Sequence, residues 1–201
     1  YSYDNASNVT AVTHPGGTTK TYLFNESAYT QGADLPNALT GIVDEHGIRY
    51  ATFNYDAAGK AISTEHAGGI FKFSVSTGPS STVVVDPLNT SRTYSFTTLF
   101  DAAKLSGVDQ PNASCASCGG TQSQAATYDA NGNVDSRTDF NGYKTCYRYD
   151  LARNLETARV EGLGAADDCA TALGMTQAQL ASAYARADVR KIATTWHATY
   201  R

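Results

Sequence analysis

Four cysteines, four histidines and one run of alternating acids and amides are the residues of this chain whose types and spacing could do chemistry. Cys115-Ala-Ser-Cys118 has the spacing of a redox dithiol or of half a zinc site. A dithiol of that kind should follow a strand and open a helix, and this pair sits in a Ser- and Gly-rich stretch instead. Zinc needs a second Cys-x-x-Cys or a His-x-x-x-His pair, which the chain lacks. Asp129-x-Asn131-x-Asn133-x-Asp135 alternates like a calcium loop, but Gly132 is misplaced and Phe140 stands where a bidentate glutamate is required. His14, His46, His66 and His197 are far apart, and no Gly-x-Ser-x-Gly elbow accompanies them. The expectation is therefore no catalytic residue, no cofactor and no bound metal, so no enzyme.

The remaining cysteine chemistry is pairing. Cys115, Cys118, Cys146 and Cys169 form an even set, as in proteins of oxidising compartments. Cys146 lies on the strand face of Lys144 and Arg148, opposite Tyr143, Tyr147 and Tyr149, and so outside an aromatic core. A bond to Cys169 would pin the loop that follows that strand. Cys115 and Cys118 could close on each other or pair with the other two. The bond expected from placement is Cys146 to Cys169.

The elements that position these residues come from a repeated phrase. Thr127-Tyr128-Asp129-Ala130-Asn131-Gly132-Asn133 is echoed by Tyr147-Arg148-Tyr149-Asp150-Leu151-Ala152-Arg153-Asn154, and upstream by Tyr1-Ser2-Tyr3-Asp4-Asn5-Ala6-Ser7-Asn8 and Phe53-Asn54-Tyr55-Asp56-Ala57-Ala58-Gly59-Lys60. Aromatic-x-Tyr suits a strand with one buried face. Asp-x-x-Gly then reverses the chain: the carboxylate accepts from the backbone two residues on, and glycine supplies positive φ. The turn pairs are Asp44 with Gly47, Asp56 with Gly59, Asp129 with Gly132 and Asp139 with Gly142. One unit reads strand, turn, strand, turn. Because two strands cannot bury a face alone, many units must stack side by side.

These motifs resemble the YD repeat of Rhs proteins, toxin-complex shell proteins and teneurins. The resemblance is strong over 126–161, good over 1–24 and 39–75, and partial over 81–96, where Asn89 replaces the turn glycine of Asp86-Pro87-Leu88-Asn89. Ser7 and Arg153 also stand in the glycine position. The resemblance implies a mainly β fold, an antiparallel sheet of β-hairpins forming a section of a spiralling shell, with other YD repeats and a toxic C-terminal segment of the same protein as partners. It implies a bacterial protein that is secreted or displayed at the cell surface, and a non-catalytic structural role. The teneurin side of the resemblance leaves an adhesion or carbohydrate-binding module as the alternative, with glycans as partners.

Composition fits a structural reading. With 201 residues, 13 tyrosines, one tryptophan and one methionine, cross-strand aromatic pairs are expected. Charged residues are 17% and the net charge is −4, which argues against nucleic acid and anionic membranes. No apolar run approaches membrane-spanning length. Tyr1 already stands inside a repeat, so a section cut from a longer protein is expected, with sheet edges that tend to pair with a second copy. The Asn-x-Ser/Thr sequences at Asn5, Asn8, Asn25, Asn89 and Asn112 are accounted for by composition. The whole of 1–201 reads as one β region. Residues 25–38 and 100–120 are expected to be long loops or irregular strands between repeat units, 162–174 a further loop, about 177–188 one inserted helix with a Thr176/Gln179 capping box and a Met175/Leu180 staple, and 191–201 a final strand. Leu180, Ala183, Tyr184 and Ala187 share that helix's apolar face.

Overall fold

The structure is a computed structural model that describes residues 1–111, 120–184 and 188–199. Its strands form one antiparallel sheet whose order follows the chain, so every connection is a local reversal. Contacts divide the chain into two compact units, residues 1–91 and 92–201.

The first unit holds β1 (Ser2–Tyr3), β2 (Val9–Thr13), β3 (Thr19–Phe24), β4 (Leu39–Val43), β5 (Arg49–Tyr55), β6 (Ala61–His66), β7 (Phe73–Thr77) and β8 (Ser81–Val85). Residues 25–38 interrupt it with a single 3-10 turn at Ser27–Tyr29. Its buried residues are Gly41, Ala51 and three threonines, Thr30, Thr40 and Thr52.

The second unit holds β9 (Ser91–Leu99) from its second residue on, β10 (Ala102–Pro111), β11 (Thr121–Tyr128), β12 (Val134–Thr138), β13 (Tyr143–Asp150), β14 (Leu155–Gly164), α1 (Cys169–Gly174), α2 (Gln177–Tyr184) and β15 (Arg190–Ala193). Its core is aliphatic: Cys146, Ala158, Val160, Leu163, Ala172, Leu173, Leu180 and Val189, with Met175 and Tyr184 packed against them.

Four expectations are corrected. The span 100–120, read as a loop or irregular strand, contains the regular strand β10, which pairs with both β9 and β11. The β9–β10 reversal has no glycine. Phe100 and Asp101 take φ of 52° and 58°, the two-residue reversal usually signalled by Asn-Gly, so the sequence signal was missing. Second, 162–190 holds two helices rather than one. Asp168 caps α1 by accepting from the Thr171 amide at 2.7 Å, and six residues are too few to show a period. The capping box forms: the Thr176 amide donates to Gln179 Oε1 at 2.8 Å and the Gln179 amide to Thr176 Oγ1 at 3.3 Å. Leu180 is buried, but Ala183 is exposed, and Ala187 lies outside the described residues. Third, of the strand expected over 191–201 the described residues keep only the part within β15, since residues 194–199 belong to no strand; Trp196 Nε1 still donates to the Glu156 carbonyl at 2.6 Å. Fourth, the tyrosines do not build the core. Tyr1, Tyr3, Tyr50 and Tyr143 are exposed, and the tyrosine pair in contact, Tyr147 with Tyr149, runs along one strand rather than across two. The aliphatic cluster beneath the helices takes that place. It includes Cys146, which is fully buried on the face opposite those rings.

Candidate functional site

Six turns share one geometry. At Asp44, Asp56, Asp129 and Asp139 the Oδ1 atom accepts from the amides two and four residues on, all at 2.9 Å. The glycines at the fourth position, Gly47, Gly59, Gly132 and Gly142, have φ between 78° and 81°, and each donates to the aspartate carbonyl at 3.0 Å. Asp4 and Asp86 repeat the pattern with Ser7 at φ 67° and Asn89 at φ 61° in the glycine position. Asp150 departs: its Oδ1 accepts from Ala152 with no fourth-residue amide beside it among the described residues, and Asn154, at φ 53°, takes the left-handed place one residue later than Arg153. At Asp4 the Asn8 side chain, and at Asp44 the Ile48 amide, hold the carboxyl below its ordinary value. At Asp129 burial pushes upward, but donors from Asn133, Asn131 and Gly132 outweigh it.

A second recurrence escaped the sequence reading. Wherever a Tyr-Asp phrase enters its turn, the register slips by one residue. Tyr3 faces Val9 while Ser2 faces Ala11, and the same slip occurs at Asn54/Tyr55, Thr127/Tyr128 and Arg148/Tyr149. Each slip is a β-bulge that leaves one residue of the outgoing strand unpaired: Thr10, Ile62, Asp135 and Thr157. Strand alternation alone carries no mark of it.

Residues 25–38 are held by a polar clip. Arg49 donates from Nη1 and Nη2 to Glu26 Oε1 and Oε2 at 3.1 and 2.8 Å, from Nη2 to the Thr40 carbonyl at 2.7 Å, and from Nε to Thr52 Oγ1 at 2.9 Å. Thr40 Oγ1 donates to Glu26 at 2.7 Å. The guanidinium also lies 4.4 Å from the Tyr29 ring centre, a cation–π contact. The Arg49 hydrogen bonds, against burial and with help from Thr40, hold the Glu26 carboxyl below its usual value. Gly41 leaves room for the guanidinium, since a Cβ there would sit 2.3 Å from Nη2.

Residues 165–189 are held differently. The Cys146–Cys169 disulfide joins β13 to the start of α1, as expected from placement, while Cys115, Cys118 and Asn112 lie outside the described residues. Leu163, Leu173, Leu180 and Val189 close over the bond. Lys191 Nζ donates to the Leu173 and Met175 carbonyls, both at 2.7 Å, satisfying the end of α1. Lys144 Nζ does the same for the Asp167 carbonyl at 2.7 Å.

No group of three or more His, Cys, Asp or Glu side chains that could hold a metal occurs among the described residues. The calcium-like run is a turn in which Asp129 Oδ2 is itself taken by Asn133 Nδ2 at 2.9 Å. His14 pairs with Glu45 at 3.1 Å, and His66 sits between Tyr50 and Phe71, ring centres 4.9 and 5.8 Å away. Tyr50 and Phe71 are 48% and 63% exposed, and Phe71 has φ of 51°, a strained conformation for a bulky residue. No described helix is long and apolar enough to cross a membrane, and the disulfide fits an oxidising environment.

No family model matches this chain, and no curated protein does. Among solved structures, a chain of the TcdB2-TccC3-Cdc42 crystal structure is similar at 13% identity with a TM-score of 0.37, over 80% of this chain and 12% of that chain. This chain therefore spans about an eighth of that one's length.

Proposed function

We propose that this chain is a non-catalytic section of an Rhs-type shell, one that encloses or helps deliver a toxic C-terminal segment of a longer, secreted or surface-displayed protein. The observation that carries the reading is the sixfold turn: one hydrogen-bond pattern, repeated at Asp4, Asp44, Asp56, Asp86, Asp129 and Asp139, reverses a sheet whose strand order is the chain order. Such a sheet grows by adding units at its ends, which suits a wall. The same carboxylates that chemistry would need are committed to backbone amides, which supports a structural role. The test is electron cryomicroscopy of the full-length protein with limited proteolysis. This section should lie in a closed wall, with the C-terminal segment protected until the wall is opened. A section projecting from the particle, with a C-terminal segment cleaved at once, would defeat the reading.

A second reading, an adhesion module for glycans, is favoured by one patch. Tyr50 and Phe71 present exposed rings beside the Glu65–Lys72 ion pair, 3.3 Å apart, and rings of this kind stack on sugar faces. A glycan array separates the readings: specific binding lost in Phe71→Ala supports adhesion, and an array without signal leaves the shell.

A further inference from the structure

Two of the Asp-x-x-Gly turns place an asparagine immediately before the glycine, Asn131-Gly132 and Asn141-Gly142, where the other two have His46 and Ala58. Both residue types suit a turn, but together they carry a chemical liability. With no Cβ in the way, a glycine amide nitrogen can reach the side-chain carbonyl carbon of the asparagine before it. The two turns share one backbone: in each the glycine amide donates to the aspartate carbonyl at 3.0 Å, and the asparagine amide to the aspartate Oδ1 at 2.9 Å. Their surroundings differ.

Asn131 is fastened. Its Nδ2 donates to the Leu151 carbonyl at 2.7 Å and to Asn154 Oδ1 at 2.8 Å. Gly132 beside it is buried: Lys104 Nζ donates to its carbonyl at 2.8 Å, and a Cβ there would lie 3.3 Å from Phe100 Cε2. Asn141 has neither restraint. It is exposed, and its side chain has no hydrogen-bond partner among the described residues. Chain neighbours aside, nothing lies within 4 Å of the place a Gly142 Cβ would take.

We propose that Asn141 is a site of spontaneous deamidation, a modification that the fold permits there and withholds from Asn131. Hydroxide takes the proton of the Gly142 amide, whose nitrogen attacks Asn141 Cγ. The new C–N bond closes a succinimide ring, the Cγ–Nδ2 bond breaks, and ammonia leaves with a proton from water, which restores the hydroxide. A second water opens the ring at either carbonyl and leaves aspartate or isoaspartate. Because the Asp139 carbonyl holds the Gly142 amide, the reaction waits for the turn to open locally. Opening 139–142 breaks the turn's own bonds, whereas opening 129–132 to free Asn131 must also break both side-chain bonds and lift the Lys104 and Phe100 cover. Two hydrogen bonds of ordinary net worth correspond to at least about a tenfold difference in rate. Isoaspartate routes the backbone through one extra carbon between Asp139 and Tyr143, whose amide closes the turn on Asp139 Oδ1 at 2.9 Å, and so loosens the reversal between β12 and β13. The proposal rests on neither reading of function.

The test is incubation of the folded chain in mildly alkaline buffer, followed by tryptic mapping and mass spectrometry. Cleavage after Arg137 and Lys144 puts Asn141 in a short peptide of its own, and cleavage after Lys104 puts Asn131 in a separate one. Peptide 138–144 should gain one mass unit, with isoaspartate at position 141, at least about tenfold faster than Asn131 changes. In denaturant, where neither asparagine is fastened, the two rates should converge. Asn154→Gly keeps the left-handed backbone of that residue but removes one acceptor of Asn131, so it should speed Asn131 severalfold and leave Asn141 unchanged. An Asn141 that stays intact in the folded chain while the unfolded chain reacts, equal rates at the two sites in the folded chain, or a difference that persists in denaturant would each overturn the proposal.

Discussion

Between β3 and β4 the chain leaves the sheet for residues 25–38, and between β14 and β15 it leaves for residues 165–189. The first excursion is fastened by Arg49, Glu26 and Thr40, whose polar atoms meet one another and bury little apolar surface. The second is fastened by a disulfide and by Leu163, Leu180 and Val189, which are almost wholly buried. A sheet of local hairpins thus tolerates insertions of opposite chemistry, provided each meets the strand beside it. One responds to charge, the other to reduction and to lost volume.

The largest effect should come from Leu180→Ala. It removes a fully buried side chain and should cost about 2 to 5 kcal/mol, seen as a lower denaturant midpoint by the fluorescence of the single tryptophan, Trp196, with faster amide exchange in β13 and β14. Equal acceleration in β3 to β5 would dissolve the contrast. Next, removing the bond in Cys146→Ala/Cys169→Ala should cost about 3 kcal/mol in the chain-entropy model for its sequence separation of 23. Peptide mapping without reductant should find the parent bond, and free thiols at both positions would refute it.

The clip should be worth less. Glu26→Gln should cost about 1 to 2 kcal/mol, because the pair is about one-third exposed and water screens it. Gly41→Ala should mimic it by displacing the guanidinium. The pH dependence has a definite sign. Because Glu26 titrates lower folded than unfolded, its contribution is full above the unfolded value near 4.5 and fades as pH falls through the folded value. Amide exchange of residues 25–38 should therefore rise in acid, whereas that of 165–189 should rise with reductant; a reversal of the two would break the distinction. The smallest effect sharpens the turns. Gly47→Ala should cost about 1 kcal/mol from positive φ alone. Gly132→Ala should cost more, because its Cβ would also lie 3.3 Å from Lys104 Nζ and Phe100 Cε2. Equal melting temperatures would show that the Phe100–Lys104 cover is unimportant.

The turns were legible because Asp and Gly each do one local job there, and even Ser7 and Asn89 comply. The Cys146–Cys169 bond was legible from strand and loop placement. What the sequence hid has physical causes. β10 is poor in β-branched residues, and its reversal uses Phe100 and Asp101 in place of the Asn-Gly pair that usually marks such a turn. α1 is too short for periodicity. Arg49 and Glu26 are 23 residues apart and meet only because β4 and β5 bring them together.

Strand order that follows chain order has a kinetic meaning. Every described pairing joins consecutive strands, so loop closures are short and contact order is low for a β protein. A newly made chain can add hairpins in the order they emerge, without waiting for a distant partner. The two excursions are the exceptions: Arg49 must reach back 23 residues to Glu26, and Cys169 as far to Cys146, past the whole of β14. Oxidation there should be the slow step, following assembly of the hairpins it fastens.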